Sequence, residues 1–127
     1  MQTRLARKED LEEIIKIESI CFPSEEAASE EVMKKRFEAF SENFLVAVED
    51  EKVVGFINGC TTEKASLPDK LYHDVKLHNP KGKYQTVFGL DVLPQYRNKG
   101  TAAILLEEFI SLAKERGKNG MVLTCKD

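Results

Sequence analysis

One strand-to-helix junction limits the fold of this chain more than any other stretch. Residues 84–92, YQTVFGLDV, are rich in β-branched and aromatic residues and predict a strand, with Gly89 as a candidate bulge. After the turn QYRNKG, a helix is predicted from about Lys99 to Arg116, with Gly117 as its C-terminal cap. Its apolar face carries Ile104, Leu105, Phe109, Leu112 and Ala113. A strand that leads directly into an amphipathic helix predicts a fold of layered sheet and helices.

The rest of the chain supplies further strands and two more helices. A short strand at residues 2–6 precedes a helix from Lys8 to about Cys21, which Pro23 ends. A second helix is predicted from Ser24 to about residue 40, with an irregular segment before it as the alternative. The runs NFLVAVED and KVVGFINGC predict a hairpin that turns at residues 50–51, and MVLTC predicts a last strand.

The predicted order is therefore β-α-α-β-β-β-α-β, a mixed α/β or α+β layered fold in a single domain of 127 residues. Residues 62–83 form the longest stretch without clear periodicity, which is typical of a functional or mobile loop.

Composition and charge narrow the classes of function. A net charge of -3 gives no basic surface, so we expect no nucleic-acid partner. The apolar runs are too short to cross a bilayer and no signal peptide is present, so we expect no membrane contact and a cytoplasmic location. Cys21, Cys60 and Cys125 are widely spaced and form no CxxC pair, which predicts buried free thiols and no metal site.

The helix that follows the junction begins differently from the other two. The first helix starts with Glu9 and Asp10, and the second is preceded and started by several glutamates, whereas the third has no acid before Glu107. Acids at a helix N-terminus oppose the macrodipole, and their absence beside Arg97 and Lys99 favours an anion from outside. The alternative is that Gly100 only turns the chain and the two cations are solvated.

The motif at the junction resembles a known family. Neither GxxxxGK[ST] nor GxGxxG occurs, which argues against a P-loop or a Rossmann dinucleotide site. The pattern Leu90-x-Val92-x-Pro94-x-Tyr96-Arg97-x-x-Gly100-x-Ala102 resembles the signature of the GCN5-related N-acetyltransferases (GNAT). The resemblance implies a mixed, mostly antiparallel sheet flanked by helices, with acetyl-CoA as co-substrate: its diphosphate binds the turn and its pantetheine arm pairs with the preceding strand. The cofactor-binding residues that it implies are Leu90, Asp91, Val92, Arg97, Asn98, Lys99, Gly100, Thr101, Ala102 and Ala103.

Two segments are similar to the arylalkylamine N-acetyltransferase branch and its bacterial relatives. These are LHNPKG at 77–82 and TCKD at the end of the chain. The same resemblance implies that Phe22, Pro23 and Thr124 contact the substrate, although core packing is the alternative for each.

The sequence does not identify a catalytic residue. Positions where the vertebrate enzymes of that branch carry two histidines are Thr86 and Phe88 here, and neither can act as a base. His73 and His78 lie in the long loop, where we expect exposure or loop packing. Asp91 is a candidate base, but its alternation with its neighbours in the strand favours a side chain that faces away from the thioester.

The family continues beyond the last strand with a helix and further strands, and that helix usually carries a tyrosine that protonates the departing thiolate. This sequence ends at Asp127, so we expect a domain without the usual C-terminal helix and strands. On that expectation the chain binds CoA weakly, or forms a homo-oligomer through the exposed last strand. The function implied is N-acetyl transfer to a primary amine of a small molecule; the alternative is a non-catalytic acyl-CoA-binding module or an inactive truncated acetyltransferase.

Overall fold

The computed structural model describes residues 1–22, 27–65 and 74–123. Within these ranges the strands and α-helices follow the order that the sequence predicts, except that a short strand is added at residues 61–62 and the strand predicted over residues 84–92 is divided into two. The elements are β1 (Gln2–Leu5), α1 (Leu11–Cys21), α2 (Glu30–Phe40), β2 (Phe44–Glu49), β3 (Lys52–Asn58), β4 (Thr61–Thr62), β5 (Tyr84–Val87), β6 (Gly89–Val92), α3 (Thr101–Glu115) and β7 (Gly120–Leu123).

The strands form two sheets. The first has the order β1-β2-β3-β6 and is antiparallel throughout. The second has the order β4-β5-β7, in which β5 and β7 are parallel. Asp50 and Glu51 connect β2 to β3 with φ angles of 51° and 65°, the backbone that a two-residue hairpin turn requires. The predicted hairpin and the predicted mixed, mostly antiparallel architecture are both confirmed.

Helices cover both faces of the first sheet. α1 and α2 pack on one face and α3 packs on the other, so β2 and β3 are buried on both sides. This double burial explains the continuous apolar run FLVAV, since alternate residues of a strand point to opposite faces. The core beneath α1 and α2 includes Ile14, Ile17, Met33, Phe40, Phe44 and Phe56. The core beneath α3 includes Leu45, Ala47, Val54, Ile57, Leu105 and Phe109.

All three helices begin later than predicted: residues 8–10 form a 3₁₀ turn, and α1 begins at Leu11 rather than at Lys8. α2 begins at Glu30 rather than at Ser24, because the Ser29 hydroxyl accepts a hydrogen bond from the Val32 N–H at 3.2 Å and caps the helix there. α3 begins at Thr101 rather than at Lys99, because Gly100 has a φ of 81° and cannot belong to the helix. Residues 23–26 lie outside the described ranges.

The C-terminal cap of α3 is confirmed. Gly117 has a φ of 74°, and the Lys118 N–H donates to the Ala113 carbonyl at 3.0 Å. This bond and the left-handed glycine satisfy the last carbonyls of the helix. The following strand begins at Gly120, one residue before the predicted run MVLTC, and residues 124–127 lie outside the described ranges.

The two described cysteines, Cys21 and Cys60, are free, as predicted. Cys60 is buried and its burial raises the pKa of the thiol, whereas Cys21 is half-buried; Cys125 lies outside the described residues. Over the three described ranges, no helix has both the length and the hydrophobicity needed to cross a bilayer. No group of three or more His, Cys, Asp or Glu side chains in the same ranges is arranged to hold a metal ion.

Candidate functional site

A bulge at Phe88 divides the strand that the sequence predicts over residues 84–92. The Phe88 N–H donates to the Asn58 carbonyl at 2.8 Å, while Gly89 is the residue paired with Asn58 in the ladder. Two residues therefore oppose one, which confirms the predicted bulge. Before the bulge β5 pairs with β7, and after it β6 pairs with β3.

This division leaves one edge of β6 without a neighbouring strand among the described residues. The Leu93 N–H donates to the Val54 carbonyl at 2.9 Å, so Leu93 directs its backbone groups toward β3. The backbone N–H and C=O groups of successive residues point to opposite sides of a strand. Those of Asp91 therefore also point toward β3, while those of Leu90 and Val92 point toward the open edge. The structure thus brings the backbone of Leu90 and Val92 to this edge and does not bring that of Asp91.

The open edge of β6 ends at Val92. Its carbonyl accepts hydrogen bonds from the Cys21 thiol at 3.3 Å and from Arg97 Nε at 3.0 Å. Arg97 therefore folds back onto the end of the strand and helps to fix the turn that leads to α3. Lys99 lies further along this turn, with its Nζ 5.5 Å from the centroid of the Tyr96 ring.

The N-terminus of α3 is open. The first backbone bond of the helix runs from the Ile104 N–H to the Gly100 carbonyl at 3.0 Å, so the N–H groups of residues 101–103 have no acceptor within the helix. Gly100 has no side chain to cap them, and the first turn contains no acid. A Cβ placed on Gly100 would meet no atom within 4 Å. The space beside Gly100 is therefore open.

The other two α-helices carry acids in their first turn, which for α1 are Glu12 and Glu13. α2 has the Ser29 cap and carries Glu30 and Glu31 in its first turn. Asp10, which precedes α1, accepts a hydrogen bond from the Arg7 N–H at 2.7 Å. The difference that the sequence predicts between the third helix and the first two is therefore confirmed in the geometry, and an anion has an electrostatic reason to bind at α3.

The remaining residues of the junction have different exposures. Thr101 is buried and its hydroxyl donates to the Tyr96 carbonyl at 3.3 Å, so its side chain anchors the turn. Ala102 and Ala103 are exposed. Asn98 has a φ of 64°, which lies in the left-handed region that glycine favours.

A cluster of buried polar side chains lies beside the bulge, and sequence reasoning found only one of its members. Asp91 is 1% exposed, Asn58 is 1% exposed and Glu18 is 7% exposed. Glu18 follows Ile14 by four residues and precedes Cys21 by three, so it lies on the buried face of α1. An acid at a position where an apolar residue is expected is a signal that the sequence does contain. Asn58 gives a weaker signal, as a polar residue at the end of an otherwise apolar strand.

The cluster holds a carboxyl group with a strongly perturbed pKa. The pKa of Asp91 is raised from 3.8 to about 9, chiefly by burial and then by the neighbouring Glu18, while Arg36 and Arg97 act in the opposite direction. Asp91 therefore carries its proton near neutral pH. Its side chain points to the face of the sheet that α1 covers, away from the core beneath α3 where its neighbours Leu90 and Val92 pack.

The described histidine is a packing residue, one of the two roles that the sequence predicts for it. His78 packs against Phe40 with 4.9 Å between ring centroids, and its Nδ1 accepts from the Thr61 N–H at 3.1 Å. Its Nε2 lies 3.7 Å from Glu42 Oε1, and burial lowers the pKa of the imidazole. His78 thus ties the loop to β4; His73 lies outside the described residues.

The other candidate positions are placed as follows. Thr86 is buried and its hydroxyl donates to the Cys60 carbonyl at 2.9 Å, and the Phe88 ring packs against Phe40. Phe22 is half-buried directly after α1, with its N–H bonded to the Glu18 carbonyl at 3.1 Å. Pro23 and Thr124, the other two predicted substrate contacts, lie outside the described residues.

The family model and the similar solved structures all indicate the same family. The model of the acetyltransferase (GNAT) family matches residues 11–127. No curated protein sequence matches the chain. Among solved structures, the chain is similar to the GphF GNAT-like decarboxylase in complex with isobutyryl-CoA, at 25% identity and a TM-score of 0.88, over 100% of this chain and 68% of that one.

Two further structures share the fold. The loading GNATL domain of CurA from Lyngbya majuscula has 21% identity and a TM-score of 0.83, over 96% of this chain and 63% of that one. A GNAT family acetyltransferase from Brucella melitensis in complex with acetyl-CoA has 19% identity and a TM-score of 0.68, over 99% of this chain and 76% of that one. This chain is therefore shorter than each of the three, and spans 63% of the CurA domain.

Proposed function

Because this chain belongs to the GNAT acetyltransferase family, we propose that it transfers the acetyl group of acetyl-CoA to the primary amine of a small molecule. The observation that carries the proposal is the open N-terminus of α3, which directly follows the open edge of β6. Together they offer a row of backbone groups that suits a ligand with an extended polar arm and a terminal diphosphate.

The diphosphate end is the better defined half of this arrangement. The backbone N–H groups of residues 98–103 bind the phosphate oxygens, and Gly100 allows close approach because no Cβ stands in the way. Lys99 and Arg97 add positive charge on the same turn, although Arg97 also holds the Val92 carbonyl. These residues fit a diphosphate by geometry and by charge.

The second half is the edge of β6. The N–H and C=O of Leu90 face away from β3, so they can pair with the amide groups of a pantetheine arm as another strand would. Bound along this edge, acetyl-CoA supplies the acetyl group as an activated thioester. The backbone that holds it is fixed by the fold before the ligand arrives, which lowers the cost of binding.

The acceptor must lose a proton before it can react. An alkylamine has a pKa near that of lysine, about 10.4, so roughly one molecule in two thousand is unprotonated at pH 7. Thr86 and Phe88, which stand where the vertebrate arylalkylamine enzymes have histidines, are engaged in packing and cannot take this proton. A base elsewhere in the site is therefore required.

A second candidate activity has one observation in its favour. The two structures with TM-scores of 0.88 and 0.83 are a GNAT-like decarboxylase and a loading GNATL domain, whereas the acetyltransferase from Brucella melitensis has a TM-score of 0.68. Decarboxylation of an acyl-CoA that carries a carboxylate β to its carbonyl is therefore the alternative. The two reactions use the same diphosphate site and differ in the acyl group and the acceptor.

One experiment separates these possibilities. The purified chain is mixed with acetyl-CoA and a panel of primary amines, and release of free CoA thiol is followed together with the mass of the amine product. The proposal predicts thiol release that depends on the amine, and an amine heavier by one acetyl group. Conversion of malonyl-CoA to acetyl-CoA without any amine supports the decarboxylase instead. Thermal stabilisation by acetyl-CoA without turnover of either kind supports a non-catalytic acyl-CoA-binding module.

A further inference from the structure

A pocket of about 250 Å³ lies beside the C-terminus of α3. Arg116 and Lys118, which follow that helix, form part of its wall. A helix of 15 residues is about 22 Å long, so the pocket is remote from the open amides at the other end of α3. Its volume is that of about eight water molecules, which is enough for a small organic anion. The remaining lining residues are Glu42, Asn43, Thr61 and Pro80.

Oxygen atoms of the fold hold the two cations of the pocket wall in place. Arg116 Nη1 donates to Asn43 Oδ1 at 2.7 Å, and Nη2 donates to the Glu42 carbonyl at 2.8 Å. Lys118 Nζ donates to two carbonyls of the loop 80–82, at 3.0 Å and 2.6 Å. Among the described residues these bonds use two of the five N–H donors of the guanidinium and two of the three of the ammonium. Both groups are therefore fixed at the pocket and keep donors for a ligand.

A buried N–H donor beside the pocket has no partner among the described residues. His78 Nδ1 accepts from the Thr61 N–H, and burial lowers the pKa of the imidazole, so the neutral ring carries its hydrogen on Nε2. The His78 side chain is 5% exposed, and Nε2 forms no hydrogen bond. Glu42 Oε1 lies 3.7 Å from Nε2, which is too far for one. Buried polar groups are almost always paired, so this donor is an exception.

Glu42 lies where a partner for this donor is expected but does not bond to it. Its side chain lines the pocket and is 50% exposed, so it can turn into solvent. Burial, and after it the positive charge of Arg116, lower the pKa of Lys118, although Glu63 acts in the opposite direction. Two neighbouring cations repel each other, and an anion bound between them removes that cost. The pocket therefore favours an oxyanion that is better placed than the Glu42 carboxylate.

We propose that this pocket is a second binding site, which takes the carboxylate or phosphate group of a small molecule that displaces the Glu42 side chain. The oxyanion accepts hydrogen bonds from Arg116 and Lys118, and from His78 Nε2 once Glu42 has moved. Charge-assisted bonds of this kind are the stronger ones in proteins. The site lies at the opposite end of α3 from the diphosphate site, so it goes beyond the proposed function and does not depend on it.

A titration followed by NMR tests the proposal with separate signals for the two ends of α3. Inorganic phosphate, and acetate in a second series, is added to the full chain at constant ionic strength. The imidazole signals of His78 and the Nε–H signal of Arg116 report on the pocket, and the amide signals of Gly100 and Thr101 report on the diphosphate site. We expect saturable shifts of the His78 and Arg116 signals with a single Kd. The series with the lower Kd identifies the bound group as phosphate or carboxylate.

The variants come with matched controls. Lys118→Gln should weaken binding of that anion at the pocket at least tenfold, whereas Lys114→Gln removes the same charge from an exposed position of α3 and should stay within twofold of the wild type. Glu42→Ala should tighten binding at least threefold, because it removes the competing carboxylate. Glu38→Ala makes the same change at an exposed position of α2 and should leave the affinity unchanged.

The gain of affinity in Glu42→Ala is the decisive result, since loss of a merely structural side chain does not create tighter binding. It also keeps the test valid if Lys118→Gln disturbs the fold through its lost carbonyl contacts. Absence of any saturable shift of the His78 signals with either anion would overturn the inference. So would a Glu42→Ala protein that binds the anion no more tightly than the wild type. Neither result bears on acetyl transfer, which is measured separately.

Discussion

The Asp91→Asn variant should be more stable than the wild type at neutral pH. The fold raises the pKa of Asp91 from 3.8 to about 9. Between these two values the unfolded chain has lost the proton and the folded chain keeps it, so the contribution of Asp91 to the stability of the fold is most favourable at low pH and becomes less favourable as pH rises toward 9. Asparagine does not ionise, so the free energy of unfolding of the variant contains no corresponding loss as pH rises.

The size of this stabilisation follows from the shift in the pKa of Asp91. One pKa unit corresponds to 1.36 kcal/mol, so the roughly three units between 3.8 and pH 7 set an upper limit of about 4 kcal/mol. Because Glu18 shares the cost of the buried charge, we expect Asp91→Asn to stabilise the fold by about 2 kcal/mol at pH 7. At pH 4 the difference between the two proteins should be close to zero.

Urea unfolding of the two proteins, measured at several values between pH 4 and pH 9, tests this reasoning. The difference in the free energy of unfolding between variant and wild type is used, because the contributions of groups that the substitution does not affect cancel in it. Asp50→Asn is the control and should show no pH-dependent difference. The reasoning fails if Asp91→Asn is less stable than the wild type at pH 8, or if its advantage does not grow with pH.

Two further predictions concern the scaffold. Gly59→Ala should destabilise the fold by about 3 kcal/mol or more, since a Cβ there would lie 1.9 Å from the Thr86 carbonyl oxygen; an unfolding midpoint equal to that of the wild type would contradict this. Arg4 donates two hydrogen bonds to Asp10, and these lower the pKa of the Asp10 carboxyl. The ion pair therefore stabilises the fold above the ordinary pKa of 3.8, and this stabilisation is lost as pH falls through the pKa that Asp10 has in the folded protein. Arg4→Gln should therefore weaken the loss of stability between pH 5 and pH 2, and an unchanged acid midpoint would argue against the pair.

The architecture could be predicted because its signals are local. The hairpin turn at residues 50–51, the bulge at Gly89 and the cap at Gly117 each depend on a few adjacent residues whose backbone preferences are strong. The start of α2 was wrong because serine is a favourable cap residue and both Ser24 and Ser29 are followed by acids, whereas α2 is capped by the Ser29 hydroxyl.

The candidate site was predictable in part for the same reason. The open helix N-terminus follows from a run of residues without an acid, which the sequence displays directly. The cluster at the bulge brings together residues 18, 58 and 91, which are far apart in the chain and meet only when α1 crosses the sheet. A buried carboxyl pair of this kind depends on long-range packing, and no local pattern in the sequence reports it.

The central claim is that the amides at the start of α3 are left open for a diphosphate, and calorimetric titration with CoA tests it most directly. Ala103→Asp places a carboxylate at those exposed amides, and Ser111→Asp adds the same charge to an exposed position in the body of the helix. We expect Ala103→Asp to stabilise the fold by about 0.5 kcal/mol, because the acid complements the helix dipole, yet to weaken CoA binding at least tenfold. Ser111→Asp should bind CoA as the wild type does. Equal affinity of the Ala103→Asp and wild-type proteins for CoA would contradict the account.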